Sequence, residues 1–392
     1  MAEAGPVEGE GRTGRPRLVT HDPSSANRFM PPDYSIALDL GRGATIEVPD
    51  RGPRKHSMRG FEDEYVDIVD YIVRITHRIW EDQDVGYIYD TYAPGCRVHD
   101  DAGLQIGVER MVSGTIESIE AFADARHYAD DVIWAGNDER GFVTSHRAFN
   151  VGHHTGTWRW GPATHRPLKL WVIANCLVVD NLIVEEWVLY NTVARLLQVG
   201  VDPVAAARLA ARTLPAPAGP QSTEVDRLIG GRVPVLAPEV DLTASDDVEG
   251  FVRGLFHNLY NRRDLSAVDR HYAANVQWHG TSNREGHGRG DVRSMARKLL
   301  ATFPDLGLEV DEVYWMGNAE DGWSVAVRWT GAGTHDGHVL YGAPTGRRVR
   351  IWGLSQLYVR RGRIVEDWSL FNEFDVMVHL FRDEAPAPSA AL

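Results

Sequence analysis

The sequence predicts an α+β protein built from two tandem copies of one domain, each a curved antiparallel sheet packed on helices. Three observations carry that expectation. Shifting the chain by 181 residues lays 131–191 over 312–372 without a gap, and 21 of the 61 aligned positions are identical. A shift of 180 extends the match toward the N-terminus, pairing His77 with His257, Tyr92 with Tyr272 and His99 with His279, so a one-residue indel falls between Asp100 and Gly107. Within a copy, apolar residues recur first at helical spacing and later alternate as in strands. Helices followed by an antiparallel meander is the α+β order.

Taken in chain order, residues 1–56 form an extension. Its first 30 residues, rich in Gly, Pro and charge, are predicted to be disordered, and Ser35–Val48 alternates about Gly41-Arg42-Gly43 as a β-hairpin does. The first copy spans 57–197. A linker, 198–244, holds Asp202-Pro203 ahead of an Ala-rich stretch from Val204 to Leu214, the pattern of a capped helix with proline in its first turn. The second copy spans 245–381, and 382–392 read as a disordered tail.

In that second copy Val248, Phe251, Val252, Leu255 and Leu259 predict a helix, with Asp246 and Glu249 as a capping pair. A short helix is expected through Leu265, Val268 and Tyr272, and a third through Val292, Met295, Leu299 and Phe303. Strands are expected over Leu308–Trp315, Trp323–Thr330, His338–Tyr341, Val349–Val359 and Ile364–Leu370, separated by Gly or Asn turns.

Composition narrows the function classes. With 55 acidic against 41 basic side chains the formal charge is -14, so a nucleic-acid partner is not expected. The most apolar stretch, Leu170–Val184, is broken by Asn175, Asp180 and Asn181, which argues against a membrane span. Cys96 and Cys176 are the only cysteines, too few for a disulfide framework, and a reducing cytoplasm is the expected setting. No Walker-type lysine loop and no Gly-x-Ser-x-Gly elbow occurs, and Gly286–Gly290 does not open a βαβ unit. No nucleotide or other cofactor is therefore expected.

Several motifs of copy two come in an order with a known counterpart. They are Leu259-Tyr260-Asn261-Arg262-Arg263-Asp264-Leu265, Pro304-Asp305-Leu306, Gly333-Thr334-His335-Asp336-Gly337, Pro344-Thr345-Gly346-Arg347 and Gly362-Arg363-Ile364-Val365-Glu366-Asp367-Trp368. In this the chain resembles the SnoaL-like polyketide cyclases, of the nuclear transport factor 2-like superfamily of cone-shaped α+β barrels. The resemblance implies a deep, mostly apolar pocket between helices and sheet in each copy, a small-molecule substrate, and packing of the two copies as an intramolecular pseudo-dimer, with a further homodimer open. It also implies, for aldol cyclases, an acid directly after the motif tryptophan and a histidine seven residues before the turn glycine. Here those places hold Ser369 and Ser355 in copy two, and Val188 and Ala174 in copy one.

Alternation supplies substitutes. If Ser369 faces the pocket, so does Asp367 two residues earlier, and Glu186 in copy one. A carboxylate buried in an apolar pocket has its pKa raised toward neutrality, as a general acid or base requires. Asp367, His335 and His279 are the catalytic candidates. Tyr272, Trp352, Ser355, Ser369, Asn372, His99, His154, Trp171, Glu186 and Asn191 are the binding candidates. Asp367 ranks above Glu186 because a short Asp beside Ser369 leaves space that Glu186 beside Val188 fills. His99-Asp100-Asp101 and His153-His154 are metal-type residues, but neighbours on a strand face opposite sides, and no metal is expected. The expected activity is cofactor-free acid/base chemistry on a small hydrophobic molecule, as a cyclase, isomerase or lyase. The alternative is a non-catalytic binding or scaffolding protein of the same fold.

Overall fold

The computed structural model describes residues 53–101, 103–213, 242 and 247–382. The hairpin expected over Ser35–Val48, the disorder expected over 1–30 and, beyond Arg382, the disordered tail expected over 382–392 lie outside the described residues.

Copy one opens on α1 (Ile68–Trp80). Asp67 caps it, its side chain accepting from the Asp70 amide at 2.7 Å, and Ile68, Ile72, Ile75 and Ile79 form its buried stripe. There follow α2 (Ile88–Thr91), β1 (Tyr92–Asp100), β2 (Gly103–Ile106), α3 (Val108–Ala121), β3 (Arg126–Asn137), β4 (Gly141–His153), β5 (Pro167–Val179), β6 (Leu182–Leu189) and α4 (Thr192–Val199). The linker helix α5 (Pro203–Thr213) buries Pro203, Ala206, Ala207 and Ala210 on one face.

Copy two repeats the order with α6 (Val248–Phe256), a π-turn over His257–Asn261, α7 (Ala267–His271), β7 (Tyr272–Gly280), β8 (Arg284–His287), α8 (Arg289–Thr302), β9 (Gly307–Asn318), β10 (Gly322–Thr334), β11 (Arg348–Arg360), β12 (Arg363–Phe371) and α9 (Glu373–Phe381). Asp247 caps α6, its side chain accepting from the Gly250 amide at 2.7 Å; Asp246, the cap expected from the sequence, lies outside the described residues. β1 ends at Asp100 and β2 starts at Gly103, whereas β7 ends at Gly280 and β8 starts at Arg284. The second connection is one residue longer, which places the indel.

Two expectations are corrected. Each six-stranded sheet is mixed, in the orders β2-β1-β6-β5-β4-β3 and β8-β7-β12-β11-β10-β9, with β1 parallel to β6 and β7 parallel to β12. The crossover through α3 or α8 carries the chain to the far edge of the sheet, and the four-stranded meander then returns to lie parallel beside the first strand. His338–Tyr341 is a loop, not a strand. The chain leaves β10 to close the end of α8, where the amides of Asp336 and Gly337 each donate to the Thr302 carbonyl at 3.1 Å. A Cβ on Gly337 would lie 1.7 Å from the Ala301 oxygen, so only glycine fits that approach.

The outer faces of the two sheets pack on each other. Ile133, Ala135 and Val143 meet Tyr314, Met316 and Ala326, and Trp171, Ile173 and Leu189 meet Trp352, Leu354 and Leu370. The Arg147 guanidinium lies over the Trp368 ring at 4.2 Å, and its repeat partner Arg328 lies over Trp187 at 4.3 Å. A β-bulge in each sheet holds the arginine in place. β3 slips register at Asp130, whose carboxylate accepts from Arg147 Nε at 2.6 Å, and β9 slips at Asp311, which accepts from Arg328 Nη1 at 3.0 Å. Because equivalent residues exchange equivalent contacts, the copies are related by a pseudo-twofold axis.

At the centre of this face Arg147 Nη1 donates to Gln356 Oε1 at 2.7 Å and to the Tyr358 hydroxyl at 3.0 Å. The Tyr358 hydroxyl donates to Asp131, and Gln356 Nε2 donates to the Ser145 carbonyl at 2.9 Å. Tyr358→Phe leaves the buried Asp131 without that donor and is expected to cost roughly 1–3 kcal/mol, read as a lowered Tm by calorimetry; an unchanged Tm contradicts the network. Residues 247–382 expressed alone expose the apolar face and are expected to self-associate. Light scattering that finds a soluble, cooperatively melting monomer contradicts an obligate interface.

Candidate active site

A cavity lies between the helices and the inner face of the copy-one sheet, with about 890 Å³ of empty space, part of it open to solvent at the mouth. Strand parity decides what enters it. On β6, Glu186 and Val188 face inward while Trp187 faces the other sheet. On β4, His146, Ala148 and Asn150 face inward, and on β5 Val172, Ala174 and Cys176 do. Tyr92, at the start of β1, and His127, on β3, close the sheet side. Helix α1 contributes Ile72, Ile75, Thr76, Ile79 and Trp80, α3 contributes Met111, Thr115 and Ser118, and α4 contributes Arg195.

Glu186 is the carboxyl group of this cavity. Burial raises its pKa to about 7, against which the Tyr92 hydroxyl, donating to Oε2 at 3.0 Å, works by stabilising the anion. At neutral pH the group is divided between acid and base forms, the condition for accepting a proton and returning it. His146 is buried on the same wall, and desolvation lowers its pKa to about 4, so its ring is neutral. Among the described residues its Nε2 has no hydrogen-bond partner, and neither do Asn150 Oδ1 and Arg195 Nε. Buried polar atoms are normally paired, so these three leave unused hydrogen-bonding capacity in the wall of the cavity.

In copy two a tryptophan enters the equivalent space. Ala148 is replaced by Trp329, whose indole packs over Gly353 so closely that a Cβ there would sit 2.2 Å from the ring, and whose Nε1 donates to Ser355 Oγ at 3.2 Å. Asp367, Ser369, Ser355 and Tyr272 do come together: Asp367 accepts from Ser369 Oγ at 2.5 Å and from the Tyr272 hydroxyl at 2.9 Å, and Ser369 Oγ accepts from Ser355 Oγ at 2.8 Å. Burial raises Asp367 to about 6. Yet the space expected beside Ser369 holds the Trp329 side chain, which copy one lacks.

The other candidates lie elsewhere. His279 and His99 face the opposite side of the sheet from the carboxyls. His279 stacks on Trp368 with ring centroids 3.6 Å apart and pairs with Glu285 at 2.5 Å, while His99 stacks on Trp187 at 5.4 Å and pairs with Glu185 at 3.0 Å. Trp171 and Trp352 belong to the contact between the sheets. His335 and His154 lock loops: the threonine of the following motif meets each Nδ1, Thr345 at 3.2 Å and Thr164 at 3.1 Å. Asn372 Oδ1 accepts from the Trp352 amide at 2.9 Å, and Asn191 reaches the other copy, its Nδ2 donating to Asn283 at 2.9 Å. Asp101 accepts from Thr192 Oγ1 at 2.6 Å, so it, His99 and His154 turn to three different partners. Among the described residues no three His, Cys, Asp or Glu side chains converge as metal ligands do.

His127, His146, Asn150 and Arg195 were not among the sequence candidates. The repeat carries the signal that finds them, since at a shift of 181 they align with Leu308, Val327, Gly331 and Val376. Inward positions that are polar in one copy and apolar in the other distinguish a cavity wall from a filled core.

The family profile of the SnoaL-like polyketide cyclases matches residues 70–199 and 251–380. No curated protein matches the chain. Among solved structures, AclR from Streptomyces galilaeus is 30% identical with a TM-score of 0.28, over 32% of this chain and 89% of that one. IdmH from Streptomyces antibioticus is 25% identical with a TM-score of 0.27, over 32% and 92%. TsrD from Streptomyces laurentii is 18% identical with a TM-score of 0.30, over 37% and 99%. Matched by that profile once in each copy, the chain belongs to the SnoaL-like polyketide cyclase family.

Proposed function

We propose that copy one is the reactive domain, that it binds a small, mostly apolar polyketide-like molecule, and that Glu186 moves a proton to or from it in a cyclisation or isomerisation. The observation that supports this best is a contrast within one chain. The same fold holds an open, polar-lined cavity around Glu186 and a tryptophan-filled interior around Asp367. For a carbon acid next to a carbonyl, the Glu186 carboxylate takes the proton and the neutral His146 ring and Asn150 lie on the wall that faces the substrate. Apolar walls from α1 exclude water and keep the Glu186 pKa near the working pH.

A second reading, a binding protein without chemistry, draws on Val188 and Ala174, which stand where the resemblance expects an acid and a histidine. Deuterium exchange at the acidic carbon of an aryl 1,3-diketone, followed by NMR with the full chain, separates the two. Exchange catalysed by the parent is expected to fall on the order of 10²-fold or more in Glu186→Gln and to change less than about threefold in Asp367→Asn. No catalysed exchange favours the binder, and a larger loss in Asp367→Asn moves the reaction to copy two.

The pH dependence has a definite sign. Catalysis by the carboxylate should rise with pH and level off above about 7. Stability should move the other way. Because the folded-state pKa of Glu186 lies above the ordinary 4.5, the native state holds the proton more tightly than the unfolded chain, and stability falls as pH rises from about 4.5 to 7. Glu186→Gln removes that penalty. It should match the parent near pH 4 and exceed it at pH 8 by roughly 2–3 kcal/mol in urea titrations. A variant less stable than the parent at pH 8 contradicts the buried, proton-hungry carboxyl.

A further inference from the structure

Arg195 projects from α4 into the cavity and is 9% exposed. Its guanidinium makes no salt bridge and no side-chain hydrogen bond among the described residues, and its Nε is buried without a partner. What surrounds it is aromatic: Tyr190, Phe122 and Trp158 lie 5.7, 5.5 and 6.0 Å from the guanidinium carbon, measured to their ring centroids. Asp101, a carboxyl that acts on it electrostatically, directs Oδ2 at the Thr192 amide and hydroxyl. π-faces hold a cation without neutralising it, so among the described residues the guanidinium has no hydrogen-bonded carboxylate, and Asp101 offsets its charge only at a distance.

The fold does not require that charge. The equivalent of Arg195 in copy two is Val376, fully buried in the core, and that copy has its interior filled. The cation therefore goes with the open cavity. A second, smaller cavity, with about 350 Å³ of empty space counting what is open to solvent, shares Trp80, Ser118, His127, Asn150 and Arg195 with the first, so Arg195 lines both.

We infer that Arg195 is a specificity residue that recognises a carboxylate on the ligand, so that copy one takes an aromatic or apolar carboxylic acid, its apolar body in the larger cavity and its carboxylate at Arg195. This rests on the reading of copy one as the ligand-binding domain. A planar guanidinium suits the two oxygens of a carboxylate, and the neutral amide or ester of the same molecule cannot satisfy it.

The test is calorimetric binding of 2-naphthoate and of its neutral isostere 2-naphthamide to the full chain. Naphthoate is expected to bind at least tenfold more tightly than the amide. Arg195→Met should abolish the difference and Arg195→Lys should keep part of it. Arg195→Met should also melt no lower than the parent, since it removes an unpaired buried cation and not a structural bond. Should Arg195→Met fail to fold, the parent's naphthoate-to-naphthamide ratio and Arg195→Lys still decide. Equal binding of the two probes by the parent, a preference that survives in Arg195→Met, or no binding of either probe overturns the inference. The reaction assigned to Glu186 is judged separately. Glu186→Gln should retain the naphthoate preference while losing proton exchange; in the parent, catalysed exchange without a naphthoate preference condemns Arg195 alone, and a naphthoate preference without catalysed exchange condemns Glu186 alone.

Discussion

Two arginines, each tied to a bulge in its own sheet and laid across a tryptophan of the other, hold this molecule in its arrangement. The bulges at Asp130 and Asp311 do two things at once. They sharpen the twist that curves each sheet around its helices, and they turn a carboxylate toward Arg147 or Arg328. The charge that results is paired, buried at Arg147 and half-buried at Arg328, and each guanidinium also rests on an indole. Without that pairing the apolar faces around Trp171 and Trp352 would have no fixed register, since hydrophobic contact alone has no direction.

Because the copies meet through the outer faces of their sheets, the inner faces are released from the interface. Strand alternation makes the separation strict, with Trp187 and Glu186 adjacent in sequence yet on opposite sides. The inner faces have accordingly diverged. One keeps Ala148, His146 and Arg195 around a cavity; the other sets Trp329 over Gly353 and closes it. A tryptophan needs that glycine, because any side chain at 353 collides with its ring.

Most of the fold was legible because its signals are local or repeated: helical spacing, alternation, and a self-match over 61 residues. The parallel pairing of first and last strands was not, since nothing in either strand names its neighbour. The strand expected at His338–Tyr341 failed because alternation cannot tell a ladder from a loop that docks on a helix end. At the site, alternation puts Asp367 and Ser369 on one face, where they are hydrogen-bonded, and the pairing of Tyr92 with Glu186 mirrors that of Tyr272 with Asp367. The histidines were ambiguous because a ring nitrogen that binds a loop threonine, as in His154 and His335, leaves the same mark in sequence as one that moves a proton. Which interior is open depends on volume, and volume became readable only when the two copies were compared position by position.

Fusion of the copies into one chain also alters what dilution can do. Two separate subunits of this shape would associate only above some concentration, and their symmetry would oblige both interiors to change together. Joined by the segment that includes α5, each copy meets its partner at an effective concentration set by the tether, whatever the abundance of the protein. The pairing survives scarcity, and one interior is free to harden into a brace while the other stays hollow.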